Sequence, residues 1–205
     1  DQIKRMSTII KNMRAFTRDG FSSEKEYDNL NRQVERITSI LGEQMKAHNI
    51  DVIVETGDIP NIRMNTQQIQ QVIMNLVTNA ADAIGDAEGT IRLTTGSLQV
   101  DRAYLDQVFH GQDLAPGAYV TLEVSDTGCG MTPDIQARIF EPFFTTKRSG
   151  RGLGLSATVG ILQGPRAGLR IYREPGHGSS FEMPFMEMPH TSPITSASGT
   201  ALFPL

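Results

Sequence analysis

The sequence has one cysteine, Cys129, and no tryptophan, and only 6% of its 205 residues are aromatic. A single cysteine excludes an internal disulfide framework and fits a reducing compartment. No apolar run approaches the roughly 20 residues needed to span a bilayer, and no secretory signal opens the chain. The excess of one sign of charge is small too: the net value of -4 argues against broad electrostatic binding to nucleic acid or anionic lipid. No internal repeat is visible. With 39% hydrophobic and 20% charged residues, the composition is that of an ordinary globular protein. The expected setting is cytoplasmic for this piece, whether or not a longer parent protein is anchored in a membrane.

Residues 1–18 place Ile3, Met6, Ile10, Met13 and Thr17 at a/d-like spacing, widened by Ile9 and Phe16. That pattern predicts an amphipathic helix whose apolar face needs a partner, either its own domain or a second helix in a bundle or coiled-coil dimer. A polar stretch from Asp19 to Asp28 interrupts it, and Leu30, Val34, Ile37, Leu41 and Met45 then predict a second amphipathic helix. Val52–Val54 reads as a short strand closed by Asp58-Ile59-Pro60. The strongest helical pattern covers 67–84, with strands following at 90–99 and 118–125. Between those strands, 101–116 reads as a polar loop with one helical turn. Thr132-Pro133-Asp134 starts a helix with proline at its first position, and glycines open another over 153–163. A hairpin across 174–178 ends the folded part, and from Pro189 onward the composition is that of a linker or disordered tail. The order predicts an α+β fold: a two-layer sandwich with a mixed, mostly antiparallel sheet. The expected divisions are 1–20, 21–188 and 189–205.

Three places carry chemistry. On the 67–84 helix, Asn75 and Asn79 lie four apart and Asp82 three further on, so they project near one edge. Polar groups on a mostly apolar helix are costly unless satisfied. Mg²⁺, which takes hard oxygen ligands, is one satisfier, and ordinary hydrogen bonding is the other. Asp126 ends an apolar strand and is followed by Gly128 and Gly130. A carboxylate there can accept from an adenine amino group while glycines admit a ligand to the backbone, though strand-end aspartates also simply cap turns. Gly150–Ser156 is a glycine turn opening a helix, where free N–H groups and the helix dipole favour phosphate, though a glycine-rich turn by itself also reads as a flexible loop. Lys147, Arg148 and Arg151 add positive charge beside it. Neither the P-loop ending nor the dinucleotide-binding GxGxxG after a first strand is present.

Together, in order, these segments resemble the sensor histidine kinases. Gln71–Ala83 looks like their N box, Asp126–Met131 the G1 box, Arg138–Lys147 with its Phe-Glu-Pro-Phe-Phe core the F box, and Gly152–Ser156 the G2 box. Gly176–Phe181 is similar to the closing Gly-x-Gly-Thr-x-Phe element, with Ser179 at the threonine. The likeness covers about residues 30–188. It implies the ATP-binding fold shared by gyrase, Hsp90, histidine kinases and MutL, with ATP and Mg²⁺ as ligands. It implies that Asn79 coordinates Mg²⁺ with Asn75 and Asp82 close by. Asp126 would read adenine, with Gly128, Gly130, Phe140 and Ser179 lining the pocket. Residues 142–151 would form a short lid whose Lys147, Arg148 and Arg151 face ATP, and Gly152, Leu153, Gly154 and Leu155 would contact the phosphates. Asn75, Asn79, Lys147 and Arg151 are the implied catalytic residues.

Residues 5–18 resemble the second helix of the dimerisation and phosphoacceptor hairpin. The acceptor histidine lies on the preceding helix in this family, and none of His48, His110, His177 or His190 has its sequence context. Implied partners are therefore a phosphoacceptor hairpin, a homodimeric parent and a response-regulator receiver domain, with no nucleic acid. ATP-hydrolysing relatives usually carry glutamate where this chain has Asn75, and an amide cannot act as a general base. An ATPase of the same fold and a non-catalytic nucleotide-binding module are the alternatives. The chain departs from the family pattern at Gln163–Gly168, after the G2 helix, and in the longer 101–116 connection, which would be either a docking surface or decoration.

Overall fold

A computed structural model describes residues 24–109, 111–147, 152–163, 166–173 and 178–187. The expected helix over 1–20 and the tail after 189 lie outside the described residues. The described chain runs through β1 (Glu26–Asp28), α1 (Leu30–Lys46), β2 (Ile50–Thr56), β3 (Ile62–Met64), α2 (Thr66–Ile84) and β4 (Gly89–Val100). It continues through α3 (Arg102–Leu105), a 3₁₀ turn (Gly111–Asp113), β5 (Gly117–Asp126), α4 (Pro133–Arg138), α5 (Gly154–Gln163), β6 (Arg170–Arg173) and β7 (Ser179–Met186).

Local chemistry sets these limits. Asn29 caps α1, its side chain accepting from the Asn31 N–H at 3.0 Å, and Asn65 caps α2 by accepting from Gln68 N–H at 3.0 Å. Each cap satisfies a donor that the first helical turn leaves without a partner. Thr132 caps α4 and Pro133 follows it, as expected of a residue whose missing N–H costs nothing there.

β2, β4, β5, β7 and β6 lie side by side in that order. β2 runs parallel to β4, and the other neighbouring pairs are antiparallel. The sheet is thus mixed and mostly antiparallel. Alternation along β4 and β5 turns Ile91, Leu93, Leu122 and Val124 to one face, which α1 and α2 cover, with α5 packed against α2. The helices bury Leu30, Val34, Ile37, Ile69, Val72, Ile73 and Leu76 against that face, all at 1% exposure or less. Inside this apolar layer one polar pair is satisfied internally, Gln70 Nε2 donating to Gln33 Oε1 at 2.6 Å.

The sequence pattern does not show the small antiparallel pair of β1 with β3. Both are three residues long, too short for a period, and β1 falls in the stretch that reads as a polar break. The 101–116 connection is less polar in its packing than in its composition. Leu105, Val108 and Leu114 are buried, and Leu105 and Leu114 join Val100 and Tyr119 in a second, smaller core.

Leu122 lies at the centre of the sheet with no exposed surface. Leu122→Ala is expected to lower stability by about 2–5 kcal/mol. Urea unfolding should show a reduced midpoint with an unchanged slope.

Candidate functional site

The polar edge of α2 faces the start of α5. Asn75 is 4% exposed, and its Nδ2 donates to the Gly154 carbonyl at 3.3 Å. That same carbonyl accepts from Thr158 Oγ1 at 3.0 Å. Two side chains thus fix the first residue of α5, one from each helix. One turn along α2, Asn79 Oδ1 accepts from the Lys147 ammonium at 2.8 Å, and Asp82 Oδ2 accepts from it at 2.6 Å. Lys147 and Asp82 side chains keep 38% and 49% of their surface exposed, so this pair contributes only about 0–1 kcal/mol. It is a weak contact, easily exchanged.

The strand-end carboxylate is held differently. Asp126 lies opposite Ser179 in the β5–β7 ladder and opposite Ile91 in the β4–β5 ladder. Its Oδ1 accepts from Gly128 N–H at 2.8 Å, and the Ser179 N–H also donates to it. Gly128 presses on α2: a Cβ there would meet Ala83 backbone atoms at 2.6–2.7 Å. The next N–H, of Cys129, donates to the Ala83 carbonyl at 3.1 Å. Only glycine lets the turn after β5 lie flush on the end of α2. Burial pushes the Asp126 carboxyl above its ordinary 3.8, opposed in part by the Gly128 and Ser179 N–H groups.

The aromatic block closes the space between these regions. Phe143 has φ 70 and is 75% exposed, and its N–H donates to the Gly152 carbonyl at 2.8 Å. Gly152 has φ 66, and a Cβ on it would lie 2.3 Å from the Phe143 carbonyl carbon, so no other residue fits without moving the block. Phe140 packs on the main core.

The structure thus brings Asn79, Asp82 and Lys147 into direct contact, Asn75 onto Gly154, and Asp126 together with Gly128 and Ser179. Leu153 is partly exposed and Leu155 packs on the core. Gly130 is in the left-handed region, with φ 68. Arg148 and Arg151 lie outside the described residues. Sequence reasoning missed Thr158, although its place four residues after Gly154 is the spacing at which a helical threonine reaches back to a carbonyl. It also missed Phe109, for which no periodic signal exists.

A helix with a polar edge, a carboxylate on a glycine turn, and a glycine-opened helix around one end of a mixed sheet define an ATP-binding domain. Residues 64–190 match the family model described as histidine kinase-, DNA gyrase B-, and HSP90-like ATPase, and the chain belongs to that family. It is 32% identical over 189 residues to sensor kinase CckA of Brucella abortus, covering 87% of this chain and 19% of that protein. With the signal transduction histidine-protein kinase AtoS of Escherichia coli it shares 28% over 183 residues, covering 89% and 27%. The solved catalytic domain of histidine kinase ThkA superposes with a TM-score of 0.64 at 26% identity, covering 79% of this chain and 95% of that one. These likenesses place the domain among the ATP-binding catalytic domains of two-component sensor kinases. The chain spans about a quarter or less of the length of the curated relatives it matches. Among the described residues, no helix is long and apolar enough to cross a membrane.

A carboxyl whose pKa is raised by folding binds its proton more tightly folded than unfolded, so its contribution to stability falls as pH rises from 3.8 through the folded value. Asp126→Asn removes that cost while keeping an oxygen for the Gly128 N–H. The variant should unfold at a higher denaturant concentration than the parent at neutral pH, with the gap narrowing toward about pH 4. A variant less stable than the parent at neutral pH would contradict this account.

Proposed function

We propose that this domain binds ATP with Mg²⁺ and transfers the γ-phosphate to a histidine on a phosphoacceptor hairpin, for relay to a response-regulator aspartate. The observation that carries the reading is the convergence of Asn79 and Asp82 on one cation, the Lys147 ammonium, beside the helix start that Asn75 fixes. An ammonium held by two hard oxygens supports a divalent-cation site, because the same oxygens suit Mg²⁺. Asn79 would hold the metal, with Asp82 close by, and the ion would supply charge neutralisation at the phosphate oxygens.

The remaining roles belong to the chain itself. Asp126 accepts a hydrogen bond from the adenine amino group, and Gly128 and Gly130 let the base approach the backbone. N–H groups of Gly152, Leu153, Gly154 and Leu155 face the phosphates at the start of α5. Lys147, released from α2, turns to the phosphates, joined by Arg148 and Arg151. Phosphoryl transfer asks chiefly for positioning and charge neutralisation, and these groups supply both. The nucleophile is a neutral imidazole on a hairpin supplied by the same or a partner protomer. Asn75 supports transfer to protein over transfer to water, since its amide is spent on the Gly154 carbonyl and cannot take a proton. Residues 21–188 are the catalytic unit in this reading, 1–20 the second hairpin helix and 189–205 a linker.

Mixing the chain with a separate phosphoacceptor hairpin and radiolabelled ATP tests the reading. Acid-labile label on the hairpin histidine is the expected result. Asn79→Ala should lower the rate roughly 100-fold or more, with Mg²⁺ titration no longer restoring it. Release of inorganic phosphate without labelled hairpin would point instead to an ATPase, and ATP binding with neither product to a non-catalytic module.

A further inference from the structure

The connection between β4 and β5 has no part in the roles above, yet it is firmly built. Arg102 closes it on itself, donating to the Leu114 carbonyl at 3.1 Å and the Gly111 carbonyl at 2.7 Å. The Arg170 guanidinium lies between two rings, 4.8 Å from the centre of Tyr104 and 4.3 Å from that of Tyr172, which fastens α3 to β6. Toward its end the segment joins the chain just before β6. Phe109 N–H donates to the Leu169 carbonyl at 2.8 Å, and Leu169 N–H donates back at 3.4 Å. With its backbone so fixed, Phe109 sets its ring against Phe140, the centroids 4.7 Å apart and the planes tilted by 34°.

Phe140 opens the aromatic block beside the nucleotide site. Arg138 braces that block, its guanidinium 4.4 Å over the Phe144 ring and its Nε 3.1 Å from Glu141 Oε2. From the block, the Phe143 N–H reaches the Gly152 carbonyl, two residues before α5 begins. Contacts therefore link Leu169, Phe109 and Phe140, three residues of chain carry the link from Phe140 to Phe143, and the Phe143 N–H passes it to Gly152.

We propose that Phe109 is a positioning residue for the phosphate-binding turn. Through its stack on Phe140 it holds the Phe140–Phe144 block, and through Phe143 and Gly152 it fixes the start of α5. The β4–β5 connection is thus part of the nucleotide site's support. The inference rests on the ATP-binding reading, and it assigns a function to a segment that reading leaves idle.

Calorimetric titration of Mg²⁺–ATP into the parent, Phe109→Ala, Phe109→Tyr, Phe140→Ala and the Phe109→Ala/Phe140→Ala double variant tests it. Phe109→Ala should weaken ATP binding about threefold to tenfold, the range expected of one lost aromatic pair. Phe109→Tyr, which keeps the ring, should bind like the parent. In the double variant the losses should fail to add, because Phe109 acts only through Phe140. A merely structural role would lower thermal stability of Phe109→Ala without this pattern. Parent-like affinity in Phe109→Ala, additive losses, or no rescue by tyrosine would overturn the proposal. If the parent itself took up no ATP, the ATP-binding reading would fall, and this failure is distinct from the other three.

Discussion

The packing of α2 against the sheet is the constraint on which the rest depends. Ile69, Val72, Ile73 and Leu76 are sealed against β4 and β5, and this fixes the rotation of the helix about its axis. With rotation fixed, the positions of Asn75, Asn79 and Asp82 follow from 3.6-residue geometry alone. Every other part of the site is then referred to this helix. The turn after β5 touches it through Gly128 and Cys129, α5 through Asn75, and the end of the aromatic block through Lys147. A site assembled on one rigid helix needs few contacts of its own, which is why its individual links can be weak.

Two kinds of polar contact share that helix edge. Asn75 is buried and bonded to backbone, so it serves as a strut, and losing it would leave Thr158 as the one side chain on the Gly154 carbonyl. Asn79 and Asp82 are wetter and bound to a flexible lysine, so they can change partner at little cost. The division between fixed and exchangeable contacts falls within a single helical turn.

Much of this was legible in the sequence. The helical period over 67–84 and the alternation over 118–125 locate α2 and β5 to within a residue or two of Thr66–Ile84 and Gly117–Asp126, because burial on one face imposes a period on the residues themselves. The ordered glycine and asparagine segments point to the same family that the match over residues 64–190 shows. Contacts without a period were not legible. The Lys147–Asp82 pair spans 65 positions, no period links the two residues, and only the family likeness puts both beside ATP. β1 and β3 are too short to leave a pattern. The connection of 101–116 reads as polar because its apolar residues are spaced irregularly among polar ones, yet Leu105, Val108 and Leu114 bury.

Asp126 has a consequence beyond the chemistry of its own proton. Although the Gly128 and Ser179 N–H groups hold it, its burial where the turn after β5 meets α2 counts against the folded state at neutral pH. A ligand taken up by the folded chain and not by the unfolded one offsets such a cost. Folding and occupancy are then linked by mass action, and the melting temperature becomes a function of ligand concentration, rising by the free energy of saturation. The domain is accordingly its own reporter: a library of adenine-like compounds can be ranked by heat alone, without a phosphoacceptor in the tube.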